Sequence, residues 1–452
     1  MKTLSLAIFS SFIISSNLLG VTLNPDNTNN SLIIYNSNIG LVHEQRELNL
    51  KKSDTQIIYE DVAPTINTDS VNIELPSGIS LSSQQYRYDK LTQRKLLDAH
   101  IGKKISARVE DNSKSFKTIS ATLLSNDGNK CIVKTKDKII ITVESKNIIF
   151  TSIPSELITK PSLVWNVSTS SDVESQMSID YLINNIKWKS NYILNLKDDK
   201  ADLSGWISID NRSGKAFKNT NLHVLAGEIN RVRESRVEYR MVKSMAVMAD
   251  APSVNHKAHE GYHIYTIPFK VNLANNEKTQ IKFIAKDGID IKRKYSAIML
   301  NPNHLRGEVK HDITQYVNLK GFDFPLPKGV VRSYSKLKDT NILLGESSLR
   351  HTPKNTAVSL KLGKNFNVKV KETLLNFDDG KWNLDVDVNY SIKNSSDKIK
   401  TIEILVPFNK NDGSKVTSDE KYTYTKGNLI TFNIEVKAQT TKEFKVHFKT
   451  SK

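Results

Sequence analysis

A stretch close to the C-terminal end alternates between apolar and polar residues. Every second residue of the stretch is apolar, namely Trp382, Leu384, Val386, Val388, Tyr390 and Ile392. The residues between them are asparagine, aspartate or serine. Because successive side chains of a strand point to opposite faces, this pattern predicts a β-strand with one buried and one solvated face. It favours antiparallel sheets that keep one side in water.

The stretch from Ile186 to Leu196 repeats this alternation, and the two regions continue in the same order. Each has a first strand, a turn, a second strand, a long excursion and a final hairpin. The turns are 211–214, with sequence Asn-Arg-Ser-Gly, and 394–397, with sequence Asn-Ser-Ser-Asp. This shared order predicts two immunoglobulin-like β-sandwich modules. The segment Phe322–Lys369 between them is predicted to be extended.

A different pattern occupies residues 86–154. Apolar residues around Leu96 and Leu97 have helical spacing, and Gly102 is placed to end a short helix. Five short β-rich runs follow, and a tight hairpin signal at Asn126-Asp127-Gly128 separates two of them. This spacing predicts a small SH3-like barrel. Its strand residue Cys131, the single cysteine of the chain, is expected to be half-buried and inert, and a single thiol excludes a Cys-rich metal site.

A chain of 452 residues is too long for one hydrophobic core. We therefore expect a mainly β protein with immunoglobulin-like sandwiches, a small SH3-like barrel and very little helix. The predicted division is a signal peptide at 1–20, an N-terminal β module with one short helix at 21–100, and a barrel-like insertion at 101–160. A β-sandwich at 161–300 and a C-terminal part at 301–452, with extended segments and a sandwich, complete it.

The N-terminal residues have the pattern of a secretory signal peptide. Lys2 precedes an apolar run from Leu4 to Leu19, which Asn24 and Pro25 follow. A membrane span needs about twenty apolar residues. The sequence therefore predicts export to the periplasm or cell envelope, with cleavage near Gly20; an uncleaved anchor and a chance apolar start are the alternatives.

The formal net charge is +17. The lysines are spread evenly, and no block of basic residues is interleaved with aromatic residues, so nucleic acid is not a predicted partner. Adhesion to an anionic membrane or envelope surface remains an open alternative.

Two segments suggest a specific chemistry. His259, Glu260 and His263 match the letters of the H-E-x-x-H zinc motif, in which a helix places both histidines on one face. Gly261 and the β-branched residues that follow predict a strand instead, with the two histidines about 13 Å apart along an extended chain. A metal-dependent hydrolase at these residues is therefore an alternative, and adventitious metal binding that includes His256 is another.

The second segment is the basic, methionine-bearing stretch 231–251. Its methionines have helical spacing, so a helix that lies on an anionic membrane or contacts a partner is one interpretation. The favoured interpretation is an excursion whose short helix packs on its own domain. Neither segment supports a named catalytic, cofactor-binding or metal-binding residue, and no cofactor is predicted.

Three stretches carry a family resemblance: Gln84–Lys103, Tyr181–Val232 and Pro325–Phe366. Together they resemble the bacterial domain of unknown function 4139, which also forms the C-terminal domain of mucoidy-inhibitor-like proteins. Those proteins carry a long coiled coil where this chain has the β-rich segment 102–154. The resemblance implies an exported β protein and brings no known catalytic residues.

The leading functional prediction is an exported, non-enzymatic envelope protein that scaffolds or binds another envelope component. That component is an unknown envelope protein or glycan. The oligomeric state is not predicted.

Overall fold

The computed structural model describes residues 20–25, 29–110, 115–154, 156–227, 256–259, 262–409, 413–425 and 428–451. Most of these residues lie in strands, and the one α-helix among them is α1 (Gln93–Ala99). The prediction of a mainly β chain with very little helix is therefore confirmed. The immunoglobulin-like and SH3-like details stay predictions.

The strands are numbered in chain order. Before α1 come β1 (Gly20–Leu23), β2 (Asn29–Tyr35), β3 (Ile39–Leu50), β4 (Gln56–Glu60), β5 (Asn72–Glu74) and β6 (Ile79–Arg87). After it come β7 (Lys104–Glu110), β8 (Phe116–Asn126), β9 (Lys130–Thr135), β10 (Ile140–Glu144) and β11 (Ile148–Ile149). The chain continues with β12 (Ser162–Thr169), β13 (Val173–Asn184), β14 (Ile186–Leu196), β15 (Lys200–Asn211) and β16 (Phe217–Ala226). Next are β17 (His256–His259), β18 (Tyr262–Thr266), β19 (Val271–Leu273), β20 (Glu277–Ile298), β21 (Glu308–Leu319), β22 (Gly329–Leu337) and β23 (Thr340–Leu349). The last are β24 (Val358–Asp379), β25 (Asn383–Asn394), β26 (Lys400–Pro407), β27 (Lys415–Ser418), β28 (Tyr422–Thr425), β29 (Leu429–Val436) and β30 (Thr440–Ser451).

The N-terminal module consists of two sheets that share one hydrophobic core. One sheet has the strand order β1-β4-β12-β6, and the other has the order β17-β18-β16-β2-β3-β13-β5. Alternate residues of β3, β4 and β13 point into the core, where Tyr59, Trp165 and Tyr181 are fully buried. Two sheets with facing apolar sides form a β-sandwich.

Strands β12 and β13 belong to this module although they follow the insertion in sequence. β12 lies between β4 and β6, and β13 pairs with β3 from Val173 opposite Leu50 to Asn184 opposite Ile39. The structure therefore differs from the predicted division, which placed a boundary at 160. The paired residues lie more than a hundred positions apart. A local sequence pattern cannot predict which distant strand will be the partner.

The insertion forms a separate five-stranded sheet with the order β10-β9-β8-β7-β11. Leu97 of α1 packs into its small core, and Thr92 caps the helix by accepting a hydrogen bond from the backbone N–H of Lys95. Gly128, at φ 101°, supplies the left-handed residue of the predicted turn between β8 and β9. Cys131 is fully buried in this core and not half-buried as expected, because its strand faces inward at that residue.

A third core lies in a middle module, which includes parts of β14, β15, β20, β21, β22, β23 and β24. Strands β20 and β24 are 22 residues long each, and β20 pairs with β15 along its first half and with β21 along its second. The segment 322–369, predicted as an extended connection, supplies β22, β23 and the start of β24. β22 pairs in parallel with β14, where Gly329 lies opposite Ser190.

The C-terminal module contains the alternating strand β25, which lies between β24 and β30. Val386, Val388, Tyr390 and Ile392 are fully buried, as the alternation predicts. Trp382 is an exception, because it lies in the turn before β25 and 71% of its surface is exposed.

The two regions with the same predicted strand order share a hydrogen-bonded corner. In each corner an asparagine side chain donates to three backbone carbonyl oxygens. For Asn211 these are the oxygens of Lys215, Leu273 and Ala274, and for Asn394 those of Lys398, Val436 and Lys437. Ser213 and Ser396 each donate a hydroxyl hydrogen bond to the oxygen of that asparagine. The parallel layout therefore extends to individual contacts.

Candidate functional site

The middle module presents the outer face of a five-strand segment with the order β23-β22-β14-β15-β20. Side chains of β14 alternate across this segment, so that Tyr192 and Leu194 are buried in the core while Lys189 and Ile193 are exposed. Four strand spacings of about 4.8 Å make the face roughly 19 Å wide.

Trp206 of β15 lies near the centre of this face. Asn191 of β14 and Lys282 of β20 are its direct neighbours across the strands. Trp206 is only partly buried, and its indole N–H has no hydrogen-bond partner among the described residues. The indole N–H groups of Trp165 and Trp188, by contrast, donate to Gln84 and to the Leu225 carbonyl.

Three polar side chains beside Trp206 form one hydrogen-bonded group. The amide nitrogens of Asn191 and Gln280 both donate to Ser208 Oγ, at 2.9 Å and 3.0 Å. Within the described chain the side-chain oxygens of the two amides have no partner, so they can accept hydrogen bonds from a ligand. The common acceptor Ser208 fixes both amides in position.

The charge of this face is mainly positive. Lys189, Lys278 and Lys282 are exposed, and none of them forms an ion pair with a described residue. Arg332 of β22 pairs with Glu346 of β23, with 2.6 Å between Nε and Oε1. Asp210 of β15 lies opposite Lys278 and pairs with Lys187 and Arg212. Positive charge therefore remains in excess, and such a surface attracts anionic ligands.

Two shallow grooves lie at this face and share three lining residues. One has a volume of about 420 Å³ and contains Trp206 and Gln280; the other has a volume of about 360 Å³ and extends to Ser348. Lys189, Asn191 and Arg332 line both. We call the set Lys189, Asn191, Trp206, Ser208, Lys278, Gln280, Lys282 and Arg332 the Trp206 face.

The zinc-like motif does not have helical geometry in the structure. His259 ends β17 and His263 lies in β18, the two strands of an antiparallel hairpin in which Ala258 is opposite His263. The helix that would place both histidines on one side is therefore replaced by strands, while Glu260 lies outside the described residues. Among the described residues, no group of three or more histidine, cysteine, aspartate or glutamate side chains is placed to hold a metal ion.

The basic segment 231–251 lies outside the described residues. Among those that are described, no helix has the length and apolar character needed to cross a bilayer.

A buried charged cluster lies in the core of the N-terminal module. Glu44 of β3 accepts hydrogen bonds from Arg46 at 2.8 Å, from Lys215 at 2.7 Å and from the Tyr59 hydroxyl at 2.9 Å. Glu44, Arg46 and Lys215 are at most 7% exposed. Arg46 also donates to the backbone carbonyls of Leu23 and Glu60, and its guanidinium lies 3.5 Å from the centre of the Tyr59 ring.

The electrostatics of this cluster favour the ionised carboxylate. Burial by itself would raise the pKa of Glu44, but the charges of Lys215 and Arg46, with the hydrogen bonds from Lys215 and Tyr59, lower it to about 2. The same burial and the nearby Glu44 charge raise the pKa of Tyr59 well above 10. These groups bind one another, so we assign the cluster to the stability of the module.

A second buried glutamate lies in the C-terminal module. Glu372 Oε1 forms hydrogen bonds with His311 Nε2 at 2.6 Å and with the Leu300 backbone N–H at 3.1 Å. Burial, followed by the charge of Glu372, raises the pKa of Tyr390 well above its usual value. Glu372 and Tyr390 are at most 1% exposed, so this pair is also part of a core.

Sequence patterns missed both the Trp206 face and the buried cluster. Trp206 lies within the family-like stretch Tyr181–Val232. The signal that points to it is a large aromatic residue on the polar side of a strand. Glu44 and Arg46 occupy inward positions between Val42 and Leu48 of β3. Two charged residues in the apolar positions of an alternating strand are a sequence signal for a buried ion pair.

No protein-family model matches this chain, and no curated protein matches it. The resemblance to the domain of unknown function stays a prediction.

Proposed function

We propose that this chain is an exported, non-enzymatic β-rich protein of the periplasm or cell envelope that binds another envelope component through the Trp206 face. Membership in the resembled bacterial family is part of this proposal. The observation that carries it is the partly exposed indole of Trp206, whose N–H has no hydrogen-bond partner among the described residues. The ring lies between Asn191 on one neighbouring strand and Lys282 on the other.

Binding of the purified full chain to isolated cell envelopes tests the proposal. Trp206→Ala removes the central ring, and we expect the bound fraction to fall several-fold, because central aromatic residues dominate many binding surfaces. Trp382→Ala is the matched control, since Trp382 is 71% exposed at a distant hairpin. Equal envelope binding by both variants and the unchanged chain would contradict the proposal.

Export has a separate test. Residues 1–20 fused to a reporter enzyme that works only outside the cytoplasm should give activity. Replacing Leu18 and Leu19 by aspartate should abolish it, because the apolar segment is then interrupted. Activity that survives this change would contradict export by this segment.

A further inference from the structure

We infer that the ligand of the Trp206 face is an acidic polysaccharide, a chain of sugar rings that carry carboxylate groups. This inference rests on the proposed function, because it names the ligand class of the same surface. It is argued from three properties of the face: the hydrogen-bonding groups, the charge and the strand position.

The first property suits sugar hydroxyl groups. Asn191 and Gln280 present amide oxygens that accept hydrogen bonds, while the indole N–H of Trp206 donates one. The flat indole ring can cover the apolar C–H side of a sugar ring, since Trp combines a large apolar surface with a polar tip. Ser208, to which both amides are hydrogen-bonded, keeps the two acceptors fixed before the ligand arrives.

The second property selects an acidic sugar. Lys189 and Lys282 lie around the amide group without an acidic partner among the described residues. Lys278 lies opposite Asp210, and Arg332, which pairs with Glu346, lines both grooves. A neutral sugar would leave these charges unused. Repeating carboxylates along a polymer would meet them at several points across the three strand spacings, about 14 Å, from β22 to β20.

The third property argues against the other polymers. β14 and β15, which carry Asn191 and Trp206, are paired on both sides. An added peptide strand would therefore pair with the end strand β23, two strands away from Asn191. Single-stranded nucleic acid is bound by successive aromatic side chains, whereas Trp206 is the one aromatic residue that lines these two grooves besides Trp188, and Trp188 is buried at 5% exposure.

The experiment measures binding of the full chain to polygalacturonate, a polymer of acidic sugars. Dextran serves as a neutral sugar polymer, polyglutamate as an acidic polymer without sugar, and single-stranded DNA as a nucleic acid. We expect polygalacturonate to bind at least tenfold more tightly than the other three. Tighter or equal binding of polyglutamate or DNA would overturn the inference, and so would equal binding of dextran.

Variants locate the binding. Trp206→Ala should weaken polygalacturonate binding about tenfold, and the double variant Lys278→Gln with Lys282→Gln should weaken it at low salt but little at high salt. These lysines are exposed, so the double variant keeps its fold even where Trp206→Ala loses stability. Lys393→Gln, an exposed lysine of the C-terminal module, is the matched control and should bind as the unchanged chain does.

The two proposals fail in different ways. If Trp206→Ala loses binding to envelopes but the unchanged chain does not bind polygalacturonate, the acidic-sugar inference is wrong and the proposed function stands. If Trp206→Ala keeps its binding to envelopes, the proposed function itself is wrong.

Discussion

Replacement of Glu44 by glutamine tests the buried cluster of the N-terminal module. Glutamine has nearly the same shape but no charge, so Arg46 loses its carboxylate partner and Lys215 keeps only Asp61, whose Oδ2 lies 3.8 Å from the lysine Nζ. Breaking a buried ion pair in this way costs about 3 to 5 kcal/mol. The pKa gives a second figure: the fall from 4.5 to about 2 corresponds to about 3.5 kcal/mol, at about 1.4 kcal/mol for each unit. The two figures agree.

Asp312→Asn provides the matched control. The hydrogen bonds and charges of Lys364 and Lys369 lower the pKa of Asp312 to about 2 as well, but this group lies in water. Exposed ion pairs contribute little to folding, so we expect the free energy of unfolding to be almost unchanged. Equal carboxyl pKa values should thus give unequal losses of stability, because burial differs.

Denaturant unfolding of the full chain gives the free energy, and amide hydrogen exchange in β3 reports on the N-terminal module itself. Since the pKa of Glu44 is lower in the folded chain, its contribution is complete above about pH 4.5 and is lost as the pH falls toward 2. Glu44→Gln should remove this part of the pH dependence. A loss below about 1 kcal/mol, or a loss equal to that of Asp312→Asn, would refute the reasoning.

Three further predictions concern the fold. Asn394→Ala and Asn211→Ala should each lower the free energy of unfolding by about 2 to 3 kcal/mol in denaturant titrations, because three carbonyl oxygens lose their donor; a loss at only one site would contradict the equivalence of the corners. Gly345→Ala should cost about 3 kcal/mol or prevent folding, since a Cβ there would lie 1.9 Å from the Leu362 carbonyl oxygen; an unchanged melting temperature would contradict this packing. Cys131 should react with a thiol reagent only at the rate of local opening, because it is fully buried; rapid reaction in native buffer would show that the insertion core is open.

The alternation of apolar residues was enough to predict the strands and their faces. Val386 to Ile392 are buried as expected, and the mostly β architecture follows from such patterns. Pairing across long sequence distances was not predictable: β13 joins β3 because their apolar sides fit in one core, and neither strand contains a sign of its partner. The central residue of the candidate site does not follow this alternation, since Trp206 is an aromatic residue on the polar side of a strand.

Glu44 is the reverse case, because it is a charged residue on the buried side of a strand. The buried carboxylate is stabilised by Arg46, two residues away on the same strand, and by Lys215, which is 171 residues away in sequence. Residues 259–263 match the letters of the H-E-x-x-H zinc motif, but the two histidines lie on the strands of a hairpin. The motif places its ligands together only when it is helical. Both cases depend on which elements meet in space.

The central claim, that the Trp206 face is the binding surface for acidic sugar polymers, is tested most directly by lysine labelling. The full chain is acetylated at low reagent concentration with and without polygalacturonate, and the modification of each lysine is measured by mass spectrometry. Lys189, Lys278 and Lys282 should be protected several-fold by the polymer, while Lys393 is labelled at an unchanged rate. Unchanged labelling of these three lysines, or equal protection of Lys393, would contradict the claim.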